Sequence, residues 1–268
     1  MRLSILLHSA VLLIFIILSC QVQAQTLPDT ELLKLEGDIA SHLVDGVDRF
    51  LLKQLDDGIA ARSRYWNRDT SSAAAYIQSV AKNRERLAEI TGVVDPRVGL
   101  TDLEVIGGVT HGPVIGTSPL FEALNIRWPA IRDIHGVGLL LKPANPNGTY
   151  IIAIPDADQT PEMISGLAEG VPPSQQYARR LAESGCTVLV PAIISREYGP
   201  RNNRAKMTNR EFLYRSSYEL GRHLIGFEVQ KIISLVDWCT SRRKSDAKVG
   251  IVGWGEGGLL ALYSAALD

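Results

Sequence analysis

The 268-residue chain carries almost no net charge: 28 Lys and Arg residues face 29 Asp and Glu, a formal net charge of -1. No basic stripe interleaved with aromatics stands out, which argues against a nucleic-acid partner. Three cysteines are too few for a disulfide framework. Five scattered histidines make no H-x-x-x-H or H-E-x-x-H pair, so no metal and no cofactor is expected. Long apolar runs are absent after the first 25 residues, which excludes a multi-span membrane protein. What is present, 46% hydrophobic and 21% charged residues, is enough to bury a substantial core in one large domain with an N-terminal appendage.

The opening "MRLSILLHSAVLLIFIILSCQVQAQ" combines Arg2, an apolar run from Ile5 to Leu18, and Val22-Gln23-Ala24 with small residues where signal peptidase needs them. Residues 1–24 are read as a signal peptide, giving an exported, periplasmic or secreted protein. A membrane anchor and a lipoprotein signal through Cys20 rank lower, the latter because bulky Leu18 stands where a small residue is usual. Cys186 and Cys239 fall on apolar elements and read as buried thiols.

Residues 25–100 read as a helical N-terminal module. Leu43, Val47, Phe50, Leu51 and Leu55 recur three and four apart, so one apolar stripe should face a partner surface. Asp69-Thr70-Ser71-Ser72 then starts a second helix that ends on Gly92. From 101 to 268 the pattern is that of an α/β domain. Short β-like runs ("LEVIGG", "FEALNIRWPAI", "HGVGLLLKP") precede an alternation of buried strands and helices: "TYIIAIPDAD", "PPSQQYARRLAESG", "CTVLVPAII", one long helix from Asn209 to Cys239, and the strand "AKVGIVGW". Near-continuous apolar strands between helices predict a mostly parallel sheet covered on both faces.

The chemistry rests on Gly253-Trp254-Gly255-Glu256-Gly257-Gly258. Read through Gly253, Gly255 and Gly258, it is a dinucleotide-binding turn, but the ribose-binding acid expected about 20 residues later has no room before Asp268. Read as a strand-to-helix elbow, it has the small flanking residues a strained nucleophile position demands, with Gly255 where the nucleophile should stand. The strand-helix order before it favours the elbow. Asp156 and Ala157, after the strand in "TYIIAIPDAD", lie where a backbone N–H completes an oxyanion hole. Asp156 and Asp158 are also readable as an acid and base pair, or as capping groups of their own turn. Glu256 begins the elbow helix, where the dipole favours its anion. Ser195, Arg196 and Glu197 end the next strand at the sheet's carboxyl edge, so Arg196 either holds an anionic substrate or ties down the loop after it. Arg201, Arg204, Lys206 and Arg210 read as a solvated loop ahead of a carboxylate clamp, and His111 and His223 as surface or capping residues.

From about Gly136 onward the chain resembles the N-terminal half of an α/β-hydrolase of the dienelactone-hydrolase and acetyl-xylan-esterase kind. The likeness is carried by "HGVGLLLKP", "YIIAIPDADQTPE", "YARRLAESGCTVLVPAI" and "YELGRHLIGFEVQKIISLVDW". The leading segment "RFLLKQLDDGIAARSRYWNRD" through "NRERLAEITGVVDPR" is similar to that of large exported bacterial proteins of planctomycete type. The resemblance implies carboxylic-ester hydrolase ancestry and an acylated saccharide or other ester as ligand. It also exposes two departures: Gly255 replaces the family's serine, and no acid or histidine follows the elbow before Asp268. The expectation is a hydrolase homologue with an incomplete site. Its alternatives are a noncatalytic saccharide- or protein-binding module and a dinucleotide-binding protein. Either a second chain completes the sheet edge left open at the last strand, or the sequence is a fragment of a larger exported protein.

Overall fold

The structure, a computed structural model, describes residues 27–100, 102–108, 112–201, 205–243 and 248–268. The proposed signal, His111 and Arg204 lie outside these residues. The chain divides into two compact units, residues 1–64 and 65–268.

In the first unit, helix α1 (Ile39–Ala61) begins where the Asp38 carboxylate accepts the N–H groups of Ala40 and Ser41, both at 3.2 Å. The Ser41 hydroxyl, then those N–H groups, hold that carboxyl below its ordinary value. Leu43, Val47, Phe50, Leu51 and Leu55 do form one apolar stripe, and all five are exposed. Among the described residues no helix is long and apolar enough to cross a membrane.

The second unit opens with α2 (Ala73–Thr91), capped by the Ser72 hydroxyl and closed by Gly92 at φ +75°. The sequence groups this helix with the N-terminal one, whereas the unit boundary falls before it, at Arg64/Tyr65. The reason is close packing, described below. Strands β1 (Glu104–Val105), β2 (Val114–Thr117), β3 (Phe121–Ile131), β4 (Ile134–Pro143) and β5 (Tyr150–Ile154) follow, then the short α3 (Pro161–Ile164), α4 (Tyr177–Glu183) and β6 (Thr187–Pro191). A hairpin, β7 (Tyr198–Arg201) and β8 (Ala205–Thr208), leads to α5 (Asn209–Glu219) and α6 (Leu224–Arg242). Strand β9 (Val249–Gly253) and α7 (Glu256–Leu267) complete the unit.

The seven-stranded sheet has the order β1-β3-β4-β6-β5-β9, with β2 also on β3. It is mixed: β6, β5 and β9 are parallel, while β1 to β4 and the β4–β6 pair are antiparallel. Strict two-residue alternation buries both faces. Ile126, Trp128, Leu140, Ile152, Ile154 and Leu189 meet Val229, Ile232 and Leu235 of α6 and Leu260 of α7. Ala123, Leu139, Leu141, Ala153, Val188 and Val190 meet Ile164, Ala178 and Ala182 of α3 and α4. Each fully buried aliphatic side chain contributes about 1.5–3 kcal/mol, so helices on both faces follow from the strand pattern. Cys186 and Cys239 are buried and unpaired with each other, and burial pushes the Cys239 thiol up to about 12.

The expected single helix from Asn209 to Cys239 is broken between Leu220 and His223. Gly221 takes φ +68°, and the Arg222 N–H returns to Ser217 O at 2.8 Å, closing α5. The His223 ring, through Nδ1, accepts the Ile225 N–H at 3.1 Å and opens α6. Arg222 then bridges both oxygens of Asp95, whose side chain is only 4% exposed. Gly226 lies against the end of α2: a Cβ there would stand 2.3 Å from Gly92 O. These two contacts join α2 to α6 in one unit. Gly226→Ala is therefore expected to cost about 1–3 kcal/mol, read as a lower thermal midpoint. An unchanged midpoint would show that the close approach is not tight.

Candidate active site

At the end of β9 the chain reverses sharply into α7. Gly255 sits at φ 56°, ψ -123°, a conformation that L side chains rarely adopt. The flanking glycines are demanded by contact. A Cβ on Gly253 would stand 2.2 Å from Gly257 O, and one on Gly257 would stand 2.3 Å from Ile154 O. The segment is thus an elbow packed against the end of β5, as the glycine spacing predicts.

The space a nucleophile would fill is taken. A Cβ on Gly255 would stand 2.6 Å from Asp156 Oδ1 and 2.7 Å from Asp156 Cγ. The same Oδ1 accepts the Glu256 backbone N–H at 2.8 Å. That N–H follows the nucleophile position and is the donor an acyl-transfer elbow aims at a developing oxyanion. Here it is satisfied by a resident carboxylate. The Asp156 N–H, the other sequence-derived donor, goes to Gln159 Oε1 at 3.3 Å, while Ala157 is buried. Asp156 therefore caps the elbow rather than its own turn.

Around this contact the structure gathers three carboxylates and two guanidinium groups. Arg196 Nη1 donates to Asp158 Oδ2 at 2.8 Å and lies 3.9 Å from Asp156 Oδ2, while Nη2 donates to Glu256 Oε2 at 3.2 Å. Its hydrogen bond to Asp158 is the largest influence raising its pKa. The Arg196 guanidinium binds carboxylates of the loop after β5 and of the elbow helix. Arg210 is not part of a solvated loop. Its side chain is 13% exposed, with Nη2 on Glu256 Oε1 and Nη1 donating to Ile194 O at 2.9 Å. Lys206, from the same cluster, is exposed.

Helix α6 holds the loop that carries Arg196. Fully buried Glu228 accepts the Ile194 N–H at 2.7 Å and pairs with Lys231 at 2.6 Å. Lys231 in turn donates to Ala192 O at 2.8 Å. The Asn209 side-chain amide donates to Ser195 Oγ at 3.0 Å. Tyr177, which no spacing in the sequence marks, donates its hydroxyl to Ile154 O at 2.5 Å beneath the elbow. Burial, and then the Asp156 charge, raise this phenol well above its ordinary value, so it remains a neutral donor. Among the described residues no group of three or more His, Cys, Asp or Glu side chains could hold a metal ion. A pyrophosphate at this helix start would meet Asp156 and Glu256, two carboxylates, which disfavours the dinucleotide reading.

The elbow on a sheet edge, followed by a helix, has a counterpart in sequence. Residues 149–268 match the dienelactone hydrolase family. The dienelactone-hydrolase-like segment thus runs from the start of β5 through the elbow helix. No curated protein matches the chain by sequence. Among solved structures, a candidate acetyl xylan esterase from Bacteroides fragilis is 15% identical with a TM-score of 0.54, over 76% of this chain and 54% of its own. This likeness shows the fold, an α/β-hydrolase. The acetyl xylan esterase from Paenibacillus sp. R4 is 15% identical with a TM-score of 0.43, over 76% of this chain and 59% of its own. The glucuronoyl esterase from Solibacter usitatus is 12% identical with a TM-score of 0.47, over 74% of this chain and 57% of its own. The chain spans between half and three fifths of these structures. Residues 149–268 are thus related to the dienelactone hydrolases.

Proposed function

We propose that this chain is a noncatalytic relative of the ester hydrolases, which retains the elbow as a structural turn and binds an acylated saccharide or another ester without cleaving it. The observation that carries the reading is the Asp156 carboxylate, which fills the space beside Gly255 and accepts the Glu256 N–H. Glycine has no group to form an acyl-enzyme, and the neighbouring carboxylate repels a substrate carbonyl from the N–H it would need. Arg196 and Asp158, beside the carboxyl ends of the parallel strands, supply polar contacts where ligands settle in open α/β sheets.

Purified protein is expected to release p-nitrophenol from its acetate no faster than buffer does. Saturable turnover that disappears in Asp156→Asn would overturn the reading and make Asp156 the reacting group. Two further parts of the proposal rest on sequence and topology. The pattern of residues 1–24 supports export. The outer edge of β9 pairs only with β5 among the described residues, which supports a further strand there, from this protein or from a second chain.

A further inference from the structure

The hairpin β7–β8 and helix α5 stand apart from the core. Among the described residues the two strands pair with each other and with no strand of the seven-stranded sheet. Helix α5 buries one residue, Ser217, while Tyr198, Tyr218 and Leu220 are exposed. Few buried contacts mark a segment that opens before the rest of its domain unfolds. The Asn209 N–H closes the base of the hairpin by donating to Glu197 O at 2.9 Å, and Thr208 Oγ1 caps α5 by accepting the Glu211 N–H at 3.0 Å. Hairpin and helix are thus fastened into one piece.

The attachment of this piece to the core centres on one side chain. Arg196 stands just before β7 and Arg210 just after β8, and both guanidinium groups reach Glu256: Arg196 Nη2 lies 3.2 Å from Oε2, and Arg210 Nη2 pairs with Oε1. One carboxylate at the start of α7 therefore holds both stems of the hairpin. Further ties are the Asn209 amide on Ser195 Oγ, Arg210 Nη1 on Ile194 O, and the Tyr214 ring edge-on to His223 at 5.5 Å. At the far end Gly221 takes φ +68°, and no atom beyond its chain neighbours lies within 4 Å of where a Cβ would stand. The link from α5 to α6 has room to turn. We propose that β7–β8 and α5 move as one flap beside the elbow, with Glu256 as its latch and Gly221 as its hinge. Opening draws Arg210 away from the start of α7 and clears the approach to the elbow. That a ligand uses this approach rests on the function proposed above, whereas the opening itself does not.

Hydrogen–deuterium exchange of the full chain, read by mass spectrometry in the parent, Glu256→Gln and Asp158→Asn, tests the flap. In the parent, α5 amides should exchange about tenfold faster than those of α6, which open only with the whole unit. Glu256→Gln turns both charge-assisted pairs into neutral contacts and should speed exchange in α5 about tenfold more than in α6. The comparison with α6 separates an opened flap from a fold weakened throughout. Asp158→Asn weakens one contact of Arg196 but spares both Glu256 pairs, so α5 should exchange as in the parent. Equal rates in the two helices of the parent, equal acceleration of both in Glu256→Gln, or faster α5 exchange in Asp158→Asn would each overturn the proposal. Exchange as expected without binding of any ester leaves the flap standing and removes only the ligand reading.

Discussion

Gly255→Ser is expected to destabilise the second unit by about 2–6 kcal/mol and to add no esterase activity. Two costs combine. A side chain at φ 56°, ψ -123° carries backbone strain of about 1–3 kcal/mol, and its Cβ would stand 2.6 Å from Asp156 Oδ1, an overpacking cost of about 1–3 kcal/mol. The second cost depends on Asp156 and the first does not. Gly255→Ser combined with Asp156→Gly should therefore recover part of the loss, a coupling of about 1–3 kcal/mol in a double-mutant cycle, although Asp156→Gly alone strips the Glu256 N–H of its acceptor. Urea unfolding of the parent, both single variants and the double variant measures this. Additive losses would mean that the carboxylate moves aside freely, and the account of a filled elbow would fall.

The second large effect is expected at Glu256. Its carboxylate is 15% exposed and faces Arg210 at 13%, so neither charge is well served by water. Glu256→Ala leaves that guanidinium, among the described residues, with only Ile194 O and removes one of the contacts of Arg196. Breaking a buried pair from one side costs about 3–5 kcal/mol, and residual exposure puts this one near the lower end, about 3 kcal/mol. Glu256→Gln keeps an acceptor and should lose less. The two variants compared by thermal unfolding separate charge from shape. A loss in Glu256→Ala below about 0.5 kcal/mol, the level of an ordinary surface substitution, would show that the pair is solvated.

How much of this was legible beforehand follows from the range over which each feature is encoded. Ile152 and Ile154 against Ala153, or Val188 and Val190 against Leu189, announce a strand buried on two sides because the signal repeats every two residues. The glycines of 253–258 announce a sharp turn because each removes a local collision. The break at Leu220–His223 was hidden, since Gly221 reads equally as a packing gap and as a helix end. The β7–β8 hairpin leaves no mark in the sequence because its Arg- and Asn-rich stretch carries no apolar alternation. Arg210 reads as a solvated residue in sequence because its partner, Glu256, lies 46 residues away, and only the folded sheet brings them together. Tyr177 had no signal at all. For Asp156, the sequence marked the position but not the direction: its backbone was the candidate donor, and its carboxylate turned out to be the acceptor.

That reversal changes what the elbow is for. In a working esterase the helix start encounters full negative charge only for the lifetime of a tetrahedral intermediate, so its dipole is held in reserve for the reaction. With Asp156 on the Glu256 N–H, the dipole is engaged continuously in the ground state. On the noncatalytic reading proposed above, its electrostatic energy is available to the resting fold rather than to lowering a barrier. Substitutions in this turn should accordingly register as changes in unfolding equilibrium before they register as changes in any rate.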